Sequence, residues 1–118
     1  MPLTVDQFPE ISDEQYRRVW DTHMSIIRRQ GDFSGAELKV LQFILADSLP
    51  MNREEATLSL RDFTHGYDDE RGWLGASGLS RSGVRLAIAS LVERGIITRK
   101  QRDTGEKASY RIVPEALH

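Results

Sequence analysis

The sequence predicts an α+β domain that is mostly α, with several helices followed by a two-stranded hairpin near the C-terminus. Three apolar-periodic runs begin just after a serine, which is the pattern of capped amphipathic helices. Gly95 ends the last of these runs. Two β-like runs around a polar turn then follow, as in a β-hairpin.

The size and composition of the chain indicate one globular domain over residues 1–118. A chain of 118 residues can bury a core without covalent staples. It contains no cysteine, which excludes disulfides and thiolate metal sites. No apolar run approaches the roughly 18 residues of a membrane span, and the acidic N-terminus is unlike a secretory signal. We therefore expect a cytoplasmic protein with no membrane partner.

The charge is distributed unevenly, although the net charge is only −2. Residues 1–70 hold 7 Lys or Arg and 14 Asp or Glu, whereas residues 71–118 hold 9 and 4. The first part therefore has a balance of −7 and the second a balance of +5. Such asymmetry is typical of proteins that bind a polyanion with one face. A chance scatter of surface charge is the alternative.

An extended arm and an extra helix are predicted at the N-terminus. Residues 1–11 contain two prolines, which oppose a helix. A capping box at Ser12–Gln15 starts a helix over 12–31, in which the Gln15 side chain returns the bond. Its apolar stripe consists of Tyr16, Val19, Trp20, His23, Met24 and Ile27. We expect this stripe to pack on the core of its own chain. The alternative is a homodimer through the 12–30 helix.

The sequence of residues 34–78 predicts a central helix and several short elements. A second capping box at Ser34–Glu37 begins a helix that is apolar on most of its circumference and ends by Pro50. A strand is expected at Thr57–Leu60, followed by one helical turn that buries Leu60 and Phe63 and is closed by Gly66. The Gly-rich stretch 67–78 is predicted to be a loop, with room for a turn of helix.

The last predicted helix and the C-terminal hairpin complete the order of elements from which the fold is predicted. Ser80 caps a helix at Arg81–Arg94, and its predicted apolar stripe is Val84, Ala87, Ile88, Leu91 and Val92. Strands are expected at Ile96–Lys100 and Ala108–Val113, around the DTGE turn at 103–106. Residues 34–113 thus have the order of a winged helix-turn-helix with a C-terminal two-stranded wing. The 12–31 helix is then an extra N-terminal element.

The helix after Ser80 has the residues that a DNA recognition helix needs. Arg81 and Arg85 are neighbours on its outer side, and arginine suits the O6/N7 edge of guanine. Ser80 and Ser82 lie at the helix start, where amides and hydroxyls suit a phosphate oxygen. Gly83 is unusual there and would allow a close approach to the groove. Any capped amphipathic helix with two surface arginines shows the same pattern. The position of this helix directly before a basic hairpin is what favours DNA binding.

The hairpin is rich in basic residues that could contact the DNA backbone or the minor groove. We expect this role for Arg99, Lys100, Arg102 and Lys107, with Arg111 nearby. The alternative is that these residues protect exposed strand edges from aggregation. A continuous positive face would favour DNA, and neutralisation by Asp62, Asp103 or Glu106 would favour a protein partner.

The stretch from Leu58 to Ile97 resembles the winged-helix domain at the N-terminus of phage and plasmid replication-initiation proteins of the replication protein O type. The resemblance covers about a third of the chain and rests on SLRDF at 59–63, GLSRSGV at 78–84 and AIASLVERGII at 87–97. The ending is more distantly similar to that of MarR-like regulators. The resemblance to the replication-initiation proteins implies that Ser80, Arg81, Ser82 and Arg85 face the DNA.

Two departures from that family change what the resemblance implies. Gly83 stands where the family usually has threonine, so a hydroxyl contact is missing. The sequence ends at His118, and we expect no second domain for origin melting or helicase recruitment. This leaves room for a small regulator or for a partner protein in replication or regulation.

No constellation for catalysis is apparent in the sequence. His23, His65 and His118 lack metal-ligand spacing, and the acidic run 68–70 is typical of a solvated loop. GASG at 75–78 lacks the preceding strand and the full glycine pattern of a nucleotide site. We therefore expect no enzyme, no cofactor and no metal. The prediction is double-stranded DNA binding by a transcription regulator or a replication-associated factor, and the alternative is a protein-interaction module without DNA binding.

Overall fold

The computed structural model describes residues 12–51, 53–101 and 106–118. These residues form an α+β fold that is mostly α, as the sequence predicts, with four α-helices and two antiparallel sheets. The helices are α1 (Asp13–Arg28), α2 (Gly35–Asp47), α3 (Leu60–His65) and α4 (Arg81–Glu93). The strands are β1 (Ala56–Leu58), β2 (Tyr67–Asp69), β3 (Gly72–Leu74), β4 (Ile97–Gln101) and β5 (Ala108–Ile112). The predicted 1–11 arm and most of the predicted 103–106 turn lie outside the described residues.

Helix α2 is the centre of the core, as its apolar circumference predicts. The predicted capping box is present: the Ser34 hydroxyl accepts a hydrogen bond from the Glu37 amide, and the Glu37 carboxylate accepts one from the Ser34 amide. Val40, Leu41 and Ile44 are fully buried. The helix packs against α1, α4, β1 and β5, so it connects the helical layer to the sheet.

The predicted C-terminal hairpin is present and belongs to a three-stranded sheet in the order β1-β5-β4. Tyr110 in the central strand turns towards the helices, where its ring meets Phe63 of α3 edge-on at 5.6 Å. The first strand is shorter than the predicted Thr57–Leu60. The reason is that Ser59 caps α3, so Leu60 already belongs to that helix.

Only part of the predicted apolar stripe of α1 packs on the core: Val19 packs against it, whereas the two aromatic residues face solvent. Tyr16 is 63% exposed and Trp20 is 55% exposed, whereas Gln15 and Thr22 are buried. The surface under α1 includes a backbone carbonyl, that of Leu49, which needs a polar partner. The Gln15 side-chain nitrogen donates to this carbonyl at 2.8 Å. The Gln15 side-chain oxygen accepts from Arg18 at 3.3 Å instead of from the Ser12 amide, so the predicted return bond of the capping box is not made.

The stretch predicted as a loop at 67–78 contains the β2–β3 hairpin, so that prediction is wrong. Gly66 ends α3 with a φ of 73°, and a Cβ at this position would collide with the carbonyl oxygen of Leu74. Arg71 in the turn contacts Asp69 at 2.7 Å and Asp62 at 3.1 Å, and its guanidinium lies 3.8 Å from the centre of the Tyr67 ring. Contacts with α3 therefore stabilise a hairpin whose own sequence is mostly polar.

That hairpin is also joined to α2 through a buried carboxylate. The Tyr67 hydroxyl donates to Asp47, which is 1% exposed and also contacts Arg53 at 3.2 Å. Burial raises the pKa of Asp47, and the Tyr67, Arg53 and Arg71 contacts only partly offset this effect. Burial and the bond to Asp47 also raise the pKa of Tyr67. The network is therefore structural, since each of its polar groups has a partner.

Across the described ranges, no helix has the length and apolar character that crossing a membrane requires.

Candidate nucleic-acid interface

Helix α4 starts and packs as the sequence predicts. The Ser80 hydroxyl accepts a hydrogen bond from the Gly83 amide at 3.0 Å, which fixes the helix start at Arg81. The side that faces α2 and α3 is apolar and consists of the buried residues Val84, Ala87, Ile88 and Leu91. Val92 is exposed, so its assignment to the buried stripe is wrong. The other side of α4 faces solvent.

The exposed side of α4 carries two arginines. Arg81, Ser82 and Arg85 are all exposed. Arg81 and Arg85 are one helical turn apart, so about 5–6 Å separates their Cβ atoms. Neither guanidinium forms a hydrogen bond or ion pair with the part of the chain that the structure describes. By contrast, Arg18 and Arg71 are each held by carboxylates. The two α4 arginines therefore have all their donors available.

Gly83 has a local explanation in the helix cap. A Cβ at this position would lie 3.3 Å from the Ser80 hydroxyl oxygen, closer than most Cβ contacts in proteins. A side chain here would therefore crowd the group that caps the helix. Because Gly83 has no side chain, the helix backbone is less shielded here, which is compatible with a close approach to another molecule.

A groove of about 550 Å³ lies between α4 and the sheet. Arg85 and Arg99 both line it, together with Ile88 and Tyr110. Arg99 is directly opposite Tyr110 in the β4–β5 ladder, and opposite residues share one face of a sheet. Arg99 donates to the neutral Gln101 side-chain oxygen at 2.6 Å and forms no ion pair within the described ranges. The structure thus brings one predicted hairpin residue to the same groove as α4.

The other predicted hairpin residues have different surroundings. Lys100 is opposite Ser109 and therefore lies on the sheet face away from Arg99, as does Arg111. Lys107 lies outside the ladder, and its charge helps to lower the pKa of Asp62 and Asp69. Arg102 is outside the described residues. The predicted basic cluster therefore divides into a groove-facing arginine and cations that point elsewhere.

Asp62 does not neutralise the α4 face, because its carboxylate is used inside the fold. It is only 7% exposed and accepts hydrogen bonds from Arg71 and from the Ser59 amide. Burial alone would raise the pKa of Asp62, but these hydrogen bonds outweigh it and hold the pKa below its usual range. Asp103 lies outside the described residues.

Glu106 is an acidic residue at the border of the candidate site. It lines the α4–sheet groove and also a second groove of about 520 Å³, where Arg61, Ser80 and Arg81 are found. It forms no ion pair with any residue in the described ranges. The face is therefore basic along α4 and the start of α3, with an acidic edge at Glu93 and Glu106.

Two residues of this face were missed in the sequence. Leu86 is 73% exposed on the outer side of α4, where an apolar side chain could meet a thymine methyl group. At 100° per residue, its position is nearly opposite the buried Val84, Ile88 and Leu91, and this phase could have revealed it. Arg61 borders the second groove from α3, but only the folded structure brings α3 next to Ser80.

In the described ranges, no group of three or more His, Cys, Asp or Glu residues is arranged to hold a metal ion. His23 belongs to α1, His65 to α3 and His118 to the C-terminal end, next to the 3-10 turn Pro114–Leu117.

Comparison of the chain with protein families, with curated proteins and with solved structures gives no match.

Proposed function

We propose that the chain is a winged helix-turn-helix domain that binds double-stranded DNA. The proposal rests chiefly on Arg81 and Arg85, two exposed arginines of α4 that form no ion pair with any residue the structure describes. An arginine without a carboxylate partner keeps five N–H donors, and its fork matches guanine and phosphate. Helices α2, α3 and α4 around one core, with the β1-β5-β4 sheet beside them, support the assignment of the fold.

The proposed contacts follow from the surroundings of each residue. Arg85 and Leu86 read bases in the major groove, and Arg81, Ser80 and Ser82 contact bases or phosphates near the helix start. Arg99 extends the same surface across the groove to the wing. Lys100, Arg102 and Lys107 contribute general attraction to the phosphate backbone.

The proposed biological role is that of a small transcription regulator in the cytoplasm or of a phage or plasmid replication-associated factor. The resemblance of residues 58–97 to replication-initiation proteins supports the second role. The first is supported by the similar ending of MarR-like regulators. The location of the recognised sequence distinguishes them, because a regulator binds at promoters and a replication factor binds at an origin.

The proposal can be tested with fluorescence anisotropy on a labelled duplex of random sequence at low salt. Arg111→Ala is a matched control for Arg99→Ala, because Arg111 is an exposed arginine of the same ladder on the opposite face. We expect the wild type to bind, Arg85→Ala and Arg99→Ala to bind several-fold more weakly, and Arg111→Ala to change little. Equal losses for Arg99→Ala and Arg111→Ala would contradict the assigned face.

A second candidate function is a protein-interaction module without DNA binding. It is favoured by the exposed apolar residues Leu86 and Val92, together with the acidic edge at Glu93 and Glu106. This module would bind no duplex even at low salt. The same anisotropy experiment therefore separates the two candidates.

A further inference from the structure

The outer side of α1 carries an apolar stripe that nothing in the described part of the chain covers. Tyr16 and Trp20 are mostly exposed, and Met24 and Ile27 are half-buried. At 100° per residue, these four side chains lie on the side opposite the buried Gln15, Thr22 and Ile26. Large exposed aromatic side chains in one stripe are typical of a protein–protein contact.

Charged residues stand at the two ends of this stripe. Asp13 precedes it in the first turn of α1, and Arg28 follows it in the last turn. Both are exposed, and neither forms an ion pair with a residue that the structure describes. The helix dipole favours this arrangement in any helix. It does not account for the aromatic residues between the two charges.

The stripe matches itself when a second helix runs in the opposite direction. Along the sequence, the midpoint between Asp13 and Arg28 falls at about residue 20. The midpoint between Tyr16 and Met24 also falls there, at Trp20. A two-fold axis at Trp20 therefore places Trp20 against Trp20, Tyr16 against Met24, and Asp13 beside Arg28 of the partner subunit. A two-fold interface requires this kind of self-complementarity.

We propose that the outer face of α1, defined as Asp13, Tyr16, Trp20, Met24, Ile27 and Arg28, binds the same face of a second copy in an antiparallel two-fold pair. The sixteen-residue helix is about 24 Å long. A contact of this length buries on the order of 1,000 Å² in total, which is the lower limit for a specific interface. We therefore expect a dimer with a dissociation constant in the micromolar range.

This dimer leaves the candidate DNA face free. Helix α1 packs on α2 and on the 3-10 turns Leu49–Met51 and Pro114–Leu117, and its outer face points away from all three. The two grooves that α4 lines include no residue of this outer face. The dimer does not depend on the proposed DNA binding, so it is measured without DNA and its failure would not affect that proposal.

The test is sedimentation velocity of the full chain from 1 to 100 µM without DNA, on the wild type, Trp20→Glu and Trp73→Glu. Trp73 is the matched control, an exposed tryptophan on the β2–β3 hairpin. We expect a concentration-dependent dimer for the wild type and Trp73→Glu, and a monomer for Trp20→Glu at every concentration. Unchanged circular dichroism confirms that both variants are folded. A wild type that stays monomeric at 100 µM, or dimerisation of Trp20→Glu equal to the wild type, would overturn the proposal.

The antiparallel direction is tested with Asp13→Arg and Arg28→Asp at low ionic strength. Each variant alone places like charges at both ends of the pair, and we expect it to dimerise about 3- to 10-fold more weakly. An equal mixture of the two variants forms a heterodimer with opposite charges at both ends, so wild-type affinity should return. A mixture that associates no better than the separate variants would overturn the antiparallel arrangement.

Discussion

The two hairpins of the molecule use arginine in opposite ways. In β2–β3, Arg71 is enclosed by Asp62, Asp69 and the Tyr67 ring, and its hydrogen bonds to Asp69 and Asp62 raise the pKa of Arg71. In β4–β5, Arg99 is exposed at the edge of a groove, donates to the neutral Gln101 side chain and forms no ion pair with a described residue. An arginine whose carboxylate partners are already present stabilises the fold, whereas one with uncompensated charge is available to an external anion. Basic composition alone does not distinguish these two uses.

The largest effect is expected at the base of the β2–β3 hairpin, in Gly66→Ala. The alanine would have to adopt a positive φ, and its Cβ would collide with the Leu74 carbonyl oxygen. We therefore expect the free energy of unfolding to fall by about 3 kcal/mol. The control is Gly95→Ala, which has a similar φ of 72° but open space around it. Its loss should be about 1 kcal/mol by urea denaturation. Similar losses for both variants would show that the collision is unimportant.

The comparison between the arginines predicts that Arg71→Ala lowers stability and that Arg99→Ala lowers DNA affinity. Removal of Arg71 leaves the buried Asp62 without its ion pair, and we expect it to lower the free energy of unfolding by about 2–3 kcal/mol. Arg99→Ala should change stability by less than about 0.5 kcal/mol. DNA affinity at a temperature where both variants are folded should fall only for Arg99→Ala. A stable Arg71→Ala protein would contradict the structural role of Arg71.

The pH dependence of stability tests the Asp62 contact more finely. The pKa of Asp62 is below its usual range in the folded state, so its ionised form contributes stability above about pH 4. This contribution is lost as the pH falls through the folded pKa. We expect the wild type to be about 1 kcal/mol more stable than Asp62→Asn at pH 7, with the difference shrinking as the pH falls through the folded pKa of Asp62. A difference that does not change with pH would contradict the ionic origin.

The smallest effect is expected from a comparison within the β4–β5 hairpin. Arg99→Ala should flatten the dependence of log K for DNA on log salt by about 1 unit, the value for one phosphate contact. Lys107→Ala should flatten the dependence by less, because Asp62 and Asp69 already share its charge. Both variants should weaken binding to all sequences alike. Equal slopes for the two variants would show that Lys107 is as available as Arg99.

Much of the fold could be predicted because its local determinants are strong. The Ser34 and Ser80 caps and the apolar circumference of α2 specify two of the helices. The buried side of α1 was hard to predict, because it includes the polar Gln15, whose partner is the distant Leu49 carbonyl. The β2–β3 hairpin was missed for the same kind of reason, since Arg71 stabilises it through Asp62 of another element.

The candidate site was predictable where helical phase alone decides exposure, as for Arg81, Ser82 and Arg85. It was less predictable in the hairpin, where strand register separates Arg99 from Lys100. Leu86 was detectable from its phase on α4, whereas the position of Arg61 beside Ser80 depends on how α3 packs.

The central claim is tested most directly by selecting bound duplexes from a random-sequence pool across a salt series and sequencing the retained fraction. Sequence-specific DNA binding predicts steep salt dependence and an enriched motif, with preference at one position relaxed in Arg85→Ala at a cost of about 1–3 kcal/mol. The proposed dimer adds that the motif is a pseudo-palindrome with half-sites about one helical turn apart. No retention at low salt would contradict DNA binding, and an unchanged motif in Arg85→Ala would contradict the role of α4.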